Sequence, residues 1–375
     1  MPERGDVLTG QTFARKVMHL SPFVTQEDVE NEGRAIDKLS SDLPGVNIVR
    51  VFRHGWMKSI NGAQLPIYYV DMELGQCSLD DYIKQNSAKP KTVHDVFKIM
   101  AQVAAGVSFI HRKGMIHRDL KPANSSYSMS KMLILSILVI GSMTDLDQYV
   151  WKVADFGIST PGTSQRLIAT RDARGTLHYC APEILLSDAD IPCYTNKVDI
   201  WGIGLILFEL LTAKKAFQSA NAVMRYFWDQ DPCPRVTLSA SVKWTDLGRI
   251  LTAFWLEMDA VVGLEAGGPI PNSSFWARIP TDGNADQSDF DKQIKWLLHK
   301  THGDRPAIEE VLLHFTSMYI RDNANLDVSS CMSVAEISFL LGTSTSVTLL
   351  HRRVGFSKIF LNSESNSSSG CRYIT

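Results

Sequence analysis

The sequence predicts an α+β fold in which a small β-rich lobe precedes a larger helical lobe. Residues 1–75 carry segments rich in β-branched and aromatic side chains around one amphipathic helix. Farther along the chain, residues 93–114 and 198–212 repeat their apolar side chains at helical spacing. The chain has 375 residues, of which 45% are hydrophobic and 21% charged, so it can bury the core of one large domain or two smaller ones.

The small lobe is expected to be a sheet that carries one helix. Residues 12–20, TFARKVMHL, predict a strand that follows the turn TGQ. Residues 25–41 predict an amphipathic helix with Thr25 as its N-cap, because Thr accepts a hydrogen bond from a free backbone N–H of the first turn. The segments VNIVRVFRHG and LPIYYVDMEL predict two further strands.

Charge and cysteine usage argue against several classes of protein. The formal net charge is −2, so no overall basic field attracts nucleic acid or anionic lipid. The first residues lack the apolar core of a secretory signal. The six cysteines are scattered without a C-x-x-C pair, which favours reduced thiols over disulfides or a zinc site. We therefore expect a cytoplasmic or nuclear protein that binds neither nucleic acid nor membrane; the sequence does not indicate its oligomeric state.

The most apolar stretch of the chain is KMLILSILVIG, residues 131–141. A membrane-spanning helix needs about 20 apolar residues. Residues 132–140 form a run of only nine, with Ser136 in its middle. A run of this length is more typical of a buried strand than of a membrane span.

Two polar motifs flank this run and carry the chemistry of the chain. HRDLKPAN places Asp119 two residues before Lys121 and five before Asn124. On a tight loop these side chains can converge: Asp119 to accept a proton from a hydroxyl, Lys121 to neutralise a phosphoryl oxygen, and Asn124 to offer an oxygen to Mg²⁺. Downstream, VADFG supplies Asp155 as a second metal ligand. This combination is typical of phosphoryl transfer, which needs an aligned hydroxyl, a metal ion on the phosphates and cations that stabilise charge.

From about Thr9 to Phe315 the chain resembles the eukaryotic protein kinase family. Besides the two motifs above, the resemblance rests on FARK, DMEL, GTLHYCAPE, DIWGIG and DRP, which occur in the order that the family has. Lysine after the catalytic aspartate, together with Thr176 in the GT pair, resembles serine/threonine rather than tyrosine kinases. The resemblance implies a two-lobed kinase domain at 1–317, with an N-lobe at 1–75 and a C-lobe at 76–317. The tail, 318–375, ends in low-complexity sequence and is expected to be partly disordered.

The resemblance also implies a nucleotide site, with ATP and Mg²⁺ as cofactors and Ser/Thr hydroxyls of proteins as acceptors. Lys16 would contact the phosphates and pair with Glu32, and Asn124 and Asp155 would hold the metal. The residues implied around adenine are Ala14 as its ceiling, Met72 as the gatekeeper, and Glu73 and Gly75 through their backbone groups.

Other residues receive regulatory and structural roles from the same resemblance. Arg118 would anchor an activation-segment phosphate, and Asp172 stands at the place where that phosphate is usual. A carboxylate there could pair with Arg118 without phosphorylation, and Thr170 is the alternative switch. Thr176 would close the activation segment. The structural residues implied are Glu183 with its partner Arg305, the buried Asp199, and a spine that contains His117, Phe156 and Ile36.

The chain departs from the family pattern in two places. Only fifteen residues precede Lys16, so we expect the first strand and the glycine-rich phosphate loop to be missing. Asn124 and Asp155 lie 31 residues apart, whereas about a dozen suffice for one hairpin, which predicts an insertion at about 128–148.

Two arrangements of this insertion are possible. SYSMS could form the first strand of the hairpin, with the apolar run looped out. Alternatively, ILVIG could form that strand, with SSYSMSKML inserted before it. We favour a translated non-coding segment or a misassembled coding sequence over a functional insertion, so the apolar run is expected to be foreign to the fold.

Two hypotheses about function follow. The first is an ATP- and Mg²⁺-dependent protein serine/threonine kinase. The second is a kinase fold that acts as a binding scaffold, which the missing phosphate loop favours and the complete set of catalytic side chains disfavours. A nucleic-acid-binding protein has no basic stripe or aromatic stacking motif in its support.

Overall fold

The computed structural model describes the chain in thirteen stretches: residues 3–5, 12–22, 24–40, 47–57, 67–85, 91–122, 137–140, 150–166, 168–169, 176–186, 193–238, 242–243 and 287–322. The chain divides into two units, residues 1–315 and residues 316–375. The first unit contains the N-lobe sheet and the helical lobe, and only residues 316–322 of the second are described.

The N-lobe contains a four-stranded antiparallel sheet in the order β1-β2-β4-β3. Its strands are β1 (Glu3–Gly5), β2 (Thr12–His19), β3 (Val51–Met57) and β4 (Ile67–Met72). In β2, Ala14, Lys16 and Met18 are buried, since alternate side chains of a strand share one face. The expected sheet is therefore present. It also contains β1, a strand that precedes the Lys16 strand, where we expected the first strand to be missing.

The helix predicted after the first long strand is α1 (Gln26–Ser40). Thr25 caps it as predicted: the backbone N–H of Asp28 donates to Thr25 Oγ1 at 3.2 Å. In return, the Asp28 carboxylate accepts from the backbone N–H of Thr25 at 3.0 Å, which completes a capping box. Apolar side chains at helical spacing bury one face of α1, and Glu32 is buried with them.

The second lobe is mainly helical. Its helices are α2 (Leu79–Gln85), α3 (Val93–Arg112), α4 (Pro182–Leu185), α5 (Lys197–Thr212), α6 (Ala220–Phe227), α7 (Gln287–Leu297) and α8 (Ile308–Asp322). Every residue of α5 from Val198 to Thr212 is buried, as expected for a helix that is apolar all round. α8 extends past residue 317, so the predicted tail begins inside a helix. In the described stretches, no helix combines the length and apolar character needed to span a membrane.

Short strand pairs connect the helices of this lobe. β7 (Met115–Ile116) pairs with β10 (Thr160–Pro161), and β11 (Ile168–Ala169) pairs with β12 (Cys193–Tyr194). β6 (Lys91–Thr92) pairs in parallel with β13 (Val242–Lys243). The β7–β10 pair flanks the two polar motifs, because β7 directly precedes His117 and β10 follows the DFG sequence.

The apolar run contributes a strand to this lobe. β8 (Ile137–Ile140) lies between β5 (Cys77–Ser78) and β9 (Val150–Val153) in a three-stranded sheet. Its residue Val139 is opposite Cys77 on one side and Trp151 on the other. Our expectation that the whole run is foreign to the fold is wrong, because all four residues pair with β9 and two of them also pair with β5. Of the two arrangements considered, the strand within ILVIG is the one observed; SYSMS and the rest of the predicted insertion lie outside the described residues.

The connection between α1 and β3 is bonded to β9. The backbone N–H of Val49 donates to the carbonyl of Val153 at 2.9 Å, and the N–H of Val153 donates to the carbonyl of Asn47 at 2.8 Å. The Asn47 side chain also donates to the carbonyl of Trp151 at 2.9 Å. Gly106 of α3 packs against this segment, where a Cβ would lie 2.6 Å from the Asn47 carbonyl oxygen. Since β9 leads directly to Asp155, these bonds position the VADFG motif against the N-lobe.

Deleting residues 137–140 tests the role of β8. The deletion removes the ladders to β5 and β9, so we expect the thermal midpoint to fall by about 5–10 °C. The matched control deletes residues 130–133, which is the same length and precedes β8. Equal midpoints for the two deletions would show that β8 contributes nothing to the stability of the fold.

Candidate active site

Lys16 forms the centre of the candidate site. Its Nζ lies 2.7 and 2.9 Å from the two carboxylate oxygens of Glu32 on α1, and 2.9 Å from Asp155 Oδ1. Burial alone would lower the pKa of Lys16, but the two carboxylates raise it above its usual value. Burial would likewise raise the pKa of Asp155, whereas the charge of Lys16 and the hydrogen bond from it hold that pKa below its usual value. Lys16 and Asp155 therefore face each other as a charged pair.

Asp199, in the first turn of α5, holds the loop that carries the HRDLKPAN motif. Its carboxylate accepts hydrogen bonds from the backbone N–H groups of His117 at 2.9 Å and Arg118 at 2.8 Å. The imidazole of His111 contacts it at 2.8 Å. Burial raises the pKa of Asp199, but the bond to His111 and the charges around it hold the pKa below its usual value. Arg118 has a positive φ of 73°, a strained backbone for a residue other than glycine, and these bonds stabilise it.

The HRDLKPAN motif contacts Thr176 of the GTLHYCAPE motif. The ammonium of Lys121 contacts the carboxylate of Asp119 and donates to Thr176 Oγ1 at 2.7 Å. The backbone N–H of Thr176 donates to Asp119 Oδ1 at 3.2 Å. Three predicted residues from two separate motifs therefore meet around the carboxylate of Asp119: Asp119 itself, Lys121 and Thr176.

A bond between the two polar motifs fixes their relative position. His117 Nε2 donates to the carbonyl oxygen of Ala154 at 3.0 Å. The rings of His117 and Phe156 meet edge to face, with 5.8 Å between centroids. Asp155 has a positive φ of 66°, and this backbone turn directs the chain out of β9 at the residue whose carboxylate meets Lys16. Ile36, the third residue of the expected spine, is buried on α1.

The residues expected around adenine lie at the end of β4. Ala14 and Met72 are partners across the β2–β4 ladder, and both are buried. The backbone N–H of Glu73 donates to the carbonyl of Arg50 at 2.9 Å, so the chain leaves β4 in a fixed direction. Gly75, two residues further on, is half-buried.

Sequence reasoning missed a second contact of Glu73. Its carboxylate accepts from the ammonium of Lys152 at 2.7 and 3.0 Å and from the backbone N–H of Arg50 at 2.6 Å. Lys152 belongs to β9 and is 79 residues from Glu73 in sequence. No local pattern signals such a contact, because it depends on how β9 packs against the end of β4.

Some of the remaining predicted residues lie in the described stretches, and three do not. Arg305 donates to both carboxylate oxygens of Glu183 at 2.6 and 2.8 Å, and its guanidinium lies over the Trp201 ring at 5.0 Å. Arg118 places its guanidinium 4.9 Å from the centre of the Tyr194 ring, and its Nε and Nη2 are buried without a hydrogen-bond partner among the described residues. The other predicted site residues lie outside the described stretches: Asn124, Thr170 and Asp172.

A comparison of the whole sequence with protein-family models agrees with the fold and the site geometry described above. A family model described as "Protein kinase domain" matches residues 5–315. The chain belongs to the protein kinase family. This match covers strands β2, β3 and β4 of the N-lobe sheet, both polar motifs and helix α5.

Among curated relatives, the chain is similar to Serine/threonine-protein kinase PrkC of Bacillus subtilis, at 29% identity over 219 residues (58% of this chain, 29% of PrkC). It is 30% identical over 222 residues to Probable serine/threonine-protein kinase nek1 of Dictyostelium discoideum (58% of this chain, 42% of nek1). Serine/threonine/tyrosine-protein kinase HT1 of Arabidopsis thaliana is 29% identical over 193 residues (51% of this chain, 43% of HT1). The chain therefore spans less than half the length of each of these relatives.

Glu209 of α5 gives the fold a pH dependence that the sequence did not indicate. Its carboxylate accepts from the hydroxyl of Tyr179. Burial raises the pKa of Glu209 to about 7, and the bond from Tyr179 only partly offsets that effect. Because the folded-state pKa lies above the unfolded one, the stability linked to this group is present at low pH and is lost as pH rises through about 7.

We therefore expect the wild-type thermal midpoint to fall between pH 6 and pH 8 by more than that of Glu209→Gln. The glutamine keeps an acceptor for Tyr179 but cannot ionise. The measurement is the midpoint of both proteins across this pH range. Parallel pH profiles would mean that Glu209 does not titrate there.

Proposed function

We propose that this chain is an ATP- and Mg²⁺-dependent protein kinase that transfers the γ-phosphoryl group to serine or threonine hydroxyls of protein substrates. The observation that carries the proposal is the contact of Lys16 with both Glu32 and Asp155. This contact brings a cation from the sheet and a carboxylate from the VADFG motif to one point, where phosphate and metal charges can be balanced. The names of the curated relatives support the same activity.

Each catalytic side chain then has a task. Asp119 accepts the proton of the attacking hydroxyl, and Lys121, which contacts it, stabilises negative charge on the phosphoryl group. Lys16 orients the nucleotide phosphates. Ala14 and Met72 shape the adenine site, and the backbone groups of Glu73 and Gly75 face the base.

The residues at Asp155 fit a magnesium ion. The lowered pKa of Asp155 keeps its carboxylate ionised, which suits a hard cation with oxygen ligands. Gly157 leaves space next to it, because a Cβ there would lie 3.3 Å from Asp155 Oδ1 and 3.5 Å from Lys16 Nζ. Asp155, with Asn124 as the second protein ligand, would hold Mg²⁺. When bound, the ion would neutralise charge on the nucleotide phosphates.

Arg118 supports a proposal for activation. Two of its buried nitrogen atoms have no hydrogen-bond partner among the described residues, so an anion from the activation segment would satisfy them. Asp172 is the proposed anion, and phosphorylated Thr170 is the alternative. The scattered cysteines, without a C-x-x-C pair, support the proposed cytoplasmic or nuclear location.

Two substitutions test the activity. Asp119→Asn removes the proton acceptor and Asp155→Ala removes the metal ligand, so each should lower ATP-dependent phosphate incorporation into protein by at least about 100-fold. The matched control is Asp229→Asn, an exposed aspartate with a positive φ that asparagine tolerates. Wild-type incorporation in both site variants, with the fold intact by thermal melting, would contradict the proposed function.

A further inference from the structure

The turn at residues 176–179 forms one side of the surface next to Asp119. The backbone N–H of Thr176 bonds to Asp119 Oδ1, and the N–H of Tyr179 donates to the Thr176 carbonyl at 2.7 Å. Between these two residues stand Leu177, which is 50% exposed, and His178, which is partly buried. An acceptor segment whose hydroxyl reaches Asp119 must therefore pass close to this turn.

Lys215, from the loop after α5, adds a cation to this turn. Its Nζ donates to His178 Nε2 at 3.0 Å and lies 5.9 Å from the centre of the Tyr179 ring. Burial and the charges of Lys215 and Lys121 lower the pKa of His178, so the imidazole is neutral and accepts the bond. The imidazole thus orients the ammonium of Lys215 without contributing negative charge.

The carboxylate that bonds to the tyrosine of this turn is not exposed at the surface. Glu209 is only 6% exposed and accepts from the Tyr179 hydroxyl. Its raised pKa, about 7, leaves the carboxyl partly protonated at neutral pH. An incoming segment can therefore touch three side chains at this turn: the apolar Leu177, the polar His178 and the cationic Lys215.

We propose that Lys215, held by His178, selects acceptor segments that carry an anionic side chain close to the phosphorylated hydroxyl. The proposal rests on the proposed kinase activity and adds the class of substrate. An anion gains the attraction of the partly buried ammonium, whereas an arginine at the same place is repelled by it. A carboxylate and a phosphate share the required charge, so aspartate and phosphoserine are both candidate chemistries.

The test uses peptides that are identical except at one position, scanned from four residues before the acceptor serine to four after it. Each position carries aspartate, phosphoserine, alanine or arginine in turn. The readout is the ratio of kcat/KM for the anionic peptide to that for the arginine peptide, so a general loss of activity cancels. At one position or more we expect a ratio of about ten in the wild type, and a ratio below one in Lys215→Glu.

Two variants serve as controls for the charge and for its placement. Lys214→Glu makes the same charge change at the neighbouring, exposed lysine, and it should keep the wild-type ratio. Lys215→Arg should keep it as well. An equal change in Lys214→Glu, or a wild-type preference for arginine at every position, would overturn the proposal.

Binding separates this proposal from the proposed activity. Fluorescein-labelled peptides with alanine in place of the acceptor serine are titrated with each protein and followed by anisotropy. Tighter binding of the anionic peptides that Lys215→Glu reverses, without transfer to any serine peptide, would contradict the kinase activity and leave the role of Lys215 standing. Equal binding of anionic and arginine peptides by the wild type would overturn the role of Lys215, whatever the activity.

Discussion

The ammonium of Lys16 connects the three elements on which the site depends: strand β2, helix α1 and the VADFG segment. Burying a lysine is costly unless its charge is paired, and here two carboxylates pair with it at 2.7 and 2.9 Å. Loss of Lys16 would leave two buried carboxylates uncompensated. The position of α1 and the backbone turn at Asp155 are therefore coupled to one cation, and the same cation would meet the nucleotide phosphates.

A second buried charge organises the other half of the site. Asp199 fixes the backbone at His117 and Arg118, and from there the loop presents Asp119 and Lys121 to Thr176. Asp199 can do this because α5 is buried along its length and gives its first turn a rigid base. Thus one buried lysine positions the side of the site that we propose binds phosphate, and one buried aspartate positions the side that we propose binds the acceptor.

The motifs in the sequence predicted much of this arrangement, because they carry residues whose roles depend on local spacing. Asp119 and Asp155 were anticipated from these motifs, Lys16 and Glu32 from the family resemblance, and the Thr25 cap from its place before an amphipathic helix. The strand β8 was misjudged because its stability comes from partners at residues 77–78 and 150–153, which no local pattern reveals. The contacts Glu73–Lys152 and His178–Lys215 join residues 79 and 37 positions apart, so they depend on tertiary packing alone.

The most direct test of the central role of Lys16 is the shift in thermal midpoint that Mg·ATP causes in the wild type and in Lys16→Met. A ligand that binds only the folded state stabilises it by about 2.7 kcal/mol at a hundred times its dissociation constant. For the wild type we therefore expect a rise of about 5 °C at such a concentration. In Lys16→Met the rise should be less than half of that, because the cation that meets the phosphates is gone. A shift of the same size in both proteins would contradict the account.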